Sequence, residues 1–258
     1  MKKTLFVALI SATMLVFSNV AFADDAIEDG SMNFEFRNFN PSLTFKAQVS
    51  GDASATDFKN DLGLADKKSN EFRLNLGRTL RLAYTKFSYG GSGNPTVGSV
   101  TYDGQSFEVT APVTTDININ YYRLSWLIPI TTSDEMTTKW IIDLKAFKFD
   151  TRLAGTDPST SNPVTVQKSF QGGIPTVGFA TSFRLASNLT AYGEITGLPL
   201  GKYGHFYDME GGLKYEIGEF AIGAGYRNFD LNIKDGSTNG DNVQLKLAGP
   251  YYNVSYKF

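Results

Sequence analysis

Thirteen charged residues fall on one side of a repeating period-two pattern: Glu71, Arg73, Arg81, Arg123, Asp143, Lys145, Arg184, Glu194, Asp208, Glu210, Lys214, Arg227 and Lys246. Both signs are interleaved. A set of this kind, gathered in a narrow space, can neutralise itself as a network of ion pairs, or it can line a path for ions. The only histidine, His205, is followed by Asp208 and Glu210, and an acid beside an imidazole is the beginning of a hydrolytic site. No nucleophile, base and orienting group can be assembled around it, however, and alternation places it on the same face as Tyr207. The oxygen-rich stretch KDGSTNGDN at 234–242 lacks the ligand spacing of a calcium loop and reads as a solvated turn. With no cysteine, disulfides and thiolate metal sites are excluded. No glycine-rich phosphate motif and no metal-ligand cluster stands in the sequence, so the expectation is no cofactor, no metal and no catalysis.

The elements that would position these charges are amphipathic strands. Phe72, Leu74 and Leu76 alternate with Glu71, Arg73 and Asn75; Leu80, Leu82 and Tyr84 with Arg81, Ala83 and Thr85; Tyr122, Leu124, Trp126 and Ile128 with Arg123 and Ser125. The scheme continues through Trp140 to Lys145, Val177 to Leu185, Leu189 to Ile195, Tyr207 to Tyr215 and Phe220 to Tyr226. At the two ends it is carried by Leu43, Phe45, Ala47 and Val49, and by Val243, Leu245 and Leu247, with a phase slip at Gly249-Pro250 that predicts a bulge or bend. The connections alternate long (51–69, 88–114, 151–168) and short (77–79, 129–138, 186–188, 216–219), with a hairpin expected to turn at Asp103-Gly104, and with DFKNDLGL at 57–64 read either as one amphipathic turn over the barrel mouth or as a segment that simply orders its loop.

Period two alone does not separate a soluble barrel, apolar inside, from a membrane barrel, apolar outside. Aromatic placement does. Trp126, Trp140, Tyr215, Phe220, Tyr256 and Phe258 stand near the short turns, and Tyr84, Tyr122, Tyr207 and Tyr226 near the long loops, as two interfacial girdles would. The opposite face reads as small or charged, too poor in large aliphatics for a soluble core. The expectation is an all-β antiparallel transmembrane barrel of about ten strands, with eight or twelve as alternatives. Lumen charges in so narrow a barrel should pair across it, and a wide pore is excluded because wide porins need about 16 strands.

The N-terminus adds a compartment. Lys2 and Lys3, an apolar run from Leu5 to Phe17, and Ala21-Phe22-Ala23 predict a secretory signal peptide over 1–23 and a barrel domain over 24–258. The formal net charge of −2 shifts to about −4 when the two lysines leave, and no clustered basic face suggests a nucleic-acid partner.

The signal peptide, the alternating strands and the closing strand YYNVSYKF, with Tyr252, Val254, Tyr256 and a final Phe258 on one face, together resemble the small outer-membrane β-barrel proteins of Gram-negative bacteria, the OmpA/OmpX/OmpW-like superfamily. The resemblance implies residence in the outer membrane among lipid and lipopolysaccharide. It also implies insertion by the barrel assembly machinery through that last strand; the expectation is a monomer, without the peptidoglycan-binding tail of OmpA-type proteins after Phe258. It leaves three roles: a structural or surface-interacting barrel, a narrow ion or solute channel, and a rim enzyme such as a protease or a lipid A-modifying enzyme.

Overall fold

The computed structural model describes residues 31–48, 55–93, 100–102, 105–107, 111–234 and 242–258; the expected signal peptide, Val49 and the connection 235–241 lie outside them. The strands are β1 (Met32–Phe39), β2 (Ser42–Gln48), β3 (Thr56–Asp57), β4 (Ser69–Leu76), β5 (Leu80–Gly93), β6 (Val100–Tyr102), β7 (Gln105–Phe107), β8 (Val113–Thr132), β9 (Met136–Thr156), β10 (Pro163–Ala186), β11 (Leu189–Pro199), β12 (Gly204–Ile217), β13 (Phe220–Lys234) and β14 (Asn242–Lys257). Every pairing is antiparallel, and β1 bonds both to β4 and to β14, which closes the sheet. Because β2 continues β1 along the same edge of β14, the wall is a barrel of ten staves. β6 and β7 pair as a separate two-stranded sheet, with Tyr102 opposite Gln105, and the turn expected at Asp103-Gly104 lies outside the described residues.

One segment of wall is missing from the sequence reading. Met32–Phe39 carries Phe34 and Phe36 against Glu35 and Arg37, a period-two pattern that stops at Asn40-Pro41. This is the strand that closes the barrel, and it brings two further charges into the interior.

β8, β9 and β10 run 20, 21 and 24 residues, about twice what a membrane-crossing strand needs. The connections expected at 129–138 and 151–168 are therefore largely strand, and the wall rises well past one face of the bilayer.

The chemistry of the two wall faces inverts at one level. On β8 the inward residues are Ile117, Ile119 and Tyr121 and then Arg123 and Ser125, all buried, while Tyr122, Leu124 and Ile128 face out. On β13, Phe220, Ile222 and Tyr226 are exposed, but beyond them Phe229 and Leu231 are buried. The apolar face thus turns to lipid in one half of the barrel and to the interior in the other, as burial requires once the outside is water instead of hydrocarbon.

That inversion corrects two expectations. There is no bulge at Gly249-Pro250: Ala248 pairs Ser42 and Tyr251 pairs Phe39 without loss of register. Leu245, Leu247, Tyr251, Asn253 and Ser255 are all buried on one unbroken inward face. What looks like a phase slip is the height at which the apolar residues change sides. Gly249 serves a close approach instead, since a Cβ there would meet the Asn40 carbonyl oxygen at 2.2 Å, where the Asn40 N–H donates to the Pro250 carbonyl at 3.0 Å. Leu43, Phe45, Leu245 and Leu247 point into the barrel, and the lumen is not poor in large apolar side chains. Twenty-one buried residues, among them Phe87, Tyr121, Phe147, Phe206 and Phe229, form one cluster in its long-loop half.

Candidate functional site

The lumen is built in three layers. In the middle, inward residues of β1, β4, β5, β8, β9, β11, β12 and β13 form an ion-pair network. The Arg73 guanidinium donates to both oxygens of Glu210 at 2.9 and 2.7 Å, and to Glu71. Arg37 donates to Glu210 at 2.8 Å and to Glu35. Arg227 holds Asp208 with two bonds of 2.8 Å and Glu71 with one of 2.6 Å. Arg123 donates to Asp143 at 2.8 Å and to Glu194, whose other oxygen takes Arg81 at 2.7 Å. Lys145 donates to Thr196 at 2.5 Å and Asp208 at 3.2 Å. Thr85 supplies one more donor to Glu71 at 2.8 Å. Bidentate and shared geometry of this kind offsets the cost of taking charges out of water.

Ten of the thirteen charges singled out by alternation are in this network: Glu71, Arg73, Arg81, Arg123, Asp143, Lys145, Glu194, Asp208, Glu210 and Arg227. Three are not. Lys246 pairs with Asp230 and Thr44 in the part of β14 whose inward residues are leucines, so it faces outward; its misplacement follows from the supposed phase slip. Arg184 is exposed at the short-turn rim. Lys214 lies near that rim and bonds Glu216 at 2.7 Å. Glu35 and Arg37 join the network unforeseen, although the alternation of NFEFRNF carried the signal.

Above the charges sits an aromatic layer. Tyr121 stacks on Phe147 at 5.0 Å, and Phe206 and Phe229 meet edge to face at 5.0 Å. Cations cap it from below: Arg37 lies 4.6 Å from the Tyr251 ring centre and Lys145 4.8 Å from that of Phe206.

Above that, the segment 57–66 folds down into the mouth. Phe58, Leu62 and Leu64 are buried there, with the Phe58 ring 4.4 Å from that of Phe45. Asp57 accepts from the Lys59 and Asn60 N–H groups, starting a turn closed by the Asp61 N–H on the Asp57 carbonyl at 2.7 Å. Asp66 accepts from the Leu43 N–H at 2.7 Å and from the Lys59 ammonium at 2.8 Å. Leu64 bridges to Gly91 of β5. Partial burial raises the Asp66 carboxyl, but these donors outweigh it and hold the group below its usual range. The amphipathic turn expected of DFKNDLGL is therefore a plug.

These layers leave the lumen closed. Tyr121, Asp143, Lys145 and Phe206, from three strands at mid-barrel, have no exposed surface, so among the described residues these four side chains are sealed from both ends. Below them, at the short-turn end, lies a polar cavity of about 290 Å³.

On the outer wall Tyr84 and Tyr122 pack at 5.1 Å and Trp140 lies 3.9 Å from Phe179. Tyr122, Trp140, Tyr215, Phe220 and Tyr226 are exposed, and Trp126 and Tyr207 are half-buried on the same face. Tyr252 and Val254 are exposed, and Tyr256 packs between Phe220 and Phe258 at 4.7 Å from each. His205 also faces outward, stacked 5.1 Å from Tyr207, with Asp230 at 3.4 Å. Asp208 and Glu210, its neighbours in sequence, point into the lumen instead. Among the described residues no group of three or more acidic or histidine side chains is arranged to hold a metal ion.

No family model matches the sequence, and no curated protein matches it at significance. Solved structures do resemble it. The outer-membrane protease OmpT of Escherichia coli is 9% identical, with 93% of this chain and 99% of that one covered and a TM-score of 0.58. The toluene transporter TodX of Pseudomonas putida is 8% identical over 89% and 90%, with a TM-score of 0.32. Ail, the attachment invasion locus protein of Yersinia pestis, is 10% identical over 87% and 98%, with a TM-score of 0.29. The first likeness shows the fold, a closed antiparallel barrel, and the exposed apolar band is what the wall of such a barrel carries where it faces lipid.

Proposed function

We propose that this chain is an integral outer-membrane protein whose barrel is a sealed anchor and whose working surface is the long-loop end. The observation that carries this reading is the three-layer closure of the lumen, because a conduit needs a wetted path and the middle layer has none. Short turns at the periplasm and long connections outside are the rule for such barrels. That orientation puts the tall wall of β8, β9 and β10 and the paired strands β6 and β7 at the cell exterior, among lipopolysaccharide, with the C-terminal strand left for the assembly machinery to read. The role is structural or surface-interactive and the protein works as a monomer.

Catalysis is not part of this reading. The OmpT fold is shared at an identity that transfers no activity, and His205 stands with Asp230 and Tyr207 on the outer wall, on the opposite face from Asp208 and Glu210. The test of closure is liposome swelling with small sugars and salts: vesicles carrying the folded protein should swell no faster than empty ones, and solute-selective swelling would favour the channel instead.

A further inference from the structure

The short-turn cavity has a chemistry that the closed lumen does not explain. Its walls carry the cations Arg37, Arg73, Arg81, Lys139 and Lys214 against the carboxylates Glu35, Glu194 and Glu210. The carboxylates are already held: Glu210 by Arg37 and Arg73, Glu194 by Arg81 and Arg123, and Glu35 by Arg37. Lys139 is different. It projects from the inward face of β9, and its ammonium donates to the backbone carbonyl of Arg78 at 2.8 Å, a neutral acceptor that leaves two of three ammonium protons for other partners. Arg81 spends one nitrogen on Asn75 and one on Glu194, with five donors available in all. The hydroxyls of Thr137, Ser182 and Thr190 complete the wall. A molecule entering therefore meets donors and positive charge, while the acceptors are engaged.

We propose that this vestibule binds a small oxyanion of the phosphate class, seated between Lys139 and Arg81. An acceptor-only ligand matches a wall of spare donors, and an oxyanion supplies the counter-charge that the neutral Arg78 carbonyl does not give Lys139. The volume of about 290 Å³ corresponds to about ten water molecules at ~30 Å³ each, room for a monophosphate with its remaining hydration. The phosphate can come free from solution or as the headgroup of a lipid at the barrel rim.

The test is calorimetric titration of the chain from Asp24 onward, folded in uncharged detergent micelles. One arm uses inorganic phosphate and a second uses dihexanoyl phosphatidylglycerol. Lys139→Gln and Lys148→Gln are run alongside, the second altering an exposed lysine at the other end of β9. Heat-modifiable gel mobility shows that each variant is folded. Saturable binding of phosphate, weakened about tenfold by Lys139→Gln through loss of a charge-assisted hydrogen bond and unchanged by Lys148→Gln, supports the site with a soluble ligand. The same pattern for the lipid alone supports it with a headgroup. Absence of binding in both arms, or equal binding by wild type and Lys139→Gln, overturns it.

Discussion

At the scale of single residues, the lumen network sets a severe asymmetry between losing one partner and never having had the pair. Arg227 satisfies both Asp208 and Glu71. Arg227→Met should cost about 3–5 kcal/mol, measured as a lower denaturant midpoint for micelle-folded protein, since two buried carboxylates each lose a cation and three hydrogen bonds between them, with Arg73 left to Glu71 and Lys145 to Asp208. Lys246→Met, on the outer wall, should move the midpoint by no more than about 0.5 kcal/mol. A sequence reading that put all thirteen charges in one lumen predicts comparable effects for the two. That these ten share the inward face was legible from alternation because their strands keep a simple pattern of apolar residues against charges, but the same alternation also took in Arg184 and Lys214, which lie at the short-turn rim. Lys246 was not, because Gln244 and Lys246 alternate with leucines just as lumen charges elsewhere alternate with lipid-facing ones. Period two reports two faces and is silent on which one meets water.

At the scale of elements, the plug depends on a backbone that only glycine permits. Gly63 has φ +67°, and a Cβ on it would lie 2.4 Å from the Ser92 carbonyl oxygen. Gly63→Ala should release 57–66 from the mouth at a cost of about 1–3 kcal/mol, seen as faster proteolysis at Lys59 while the barrel stays folded. Asp66 adds a pH dependence. Its carboxyl titrates lower folded than unfolded, so its contribution is present above the ordinary carboxylate range and is lost as pH falls through the folded value. The hydrogen-exchange protection of the Leu43 amide should drop below about pH 4, and Asp66→Asn should show the reduced protection at every pH. The sequence marked DFKNDLGL as an amphipathic turn at the mouth. That it would tuck inward was not readable, because its partners, Phe45 of β2 and Gly91 of β5, stand on strands that only the closed barrel brings to either side of it.

At the scale of the whole molecule, one rule accounts for the wall: apolar outward where the surroundings are lipid, apolar inward where they are water. The strand pattern, the alternating connections and the closing aromatic strand made the barrel and its approximate stave number legible. The level of inversion was not, since it is set by the bilayer surface and leaves only a change of apolar phase at points such as Gly249-Pro250. Because the lower half is a membrane barrel and the upper half is packed like a soluble one, the two together leave no wetted path among the described residues. The most direct measurement of that claim is current through a planar bilayer containing the folded protein, beside the Gly63→Ala variant. The sealed lumen predicts silence from both, because the ion-pair and aromatic layers persist without the plug. Steady unitary conductance from the wild type would contradict it and make the charged layer a conducting path.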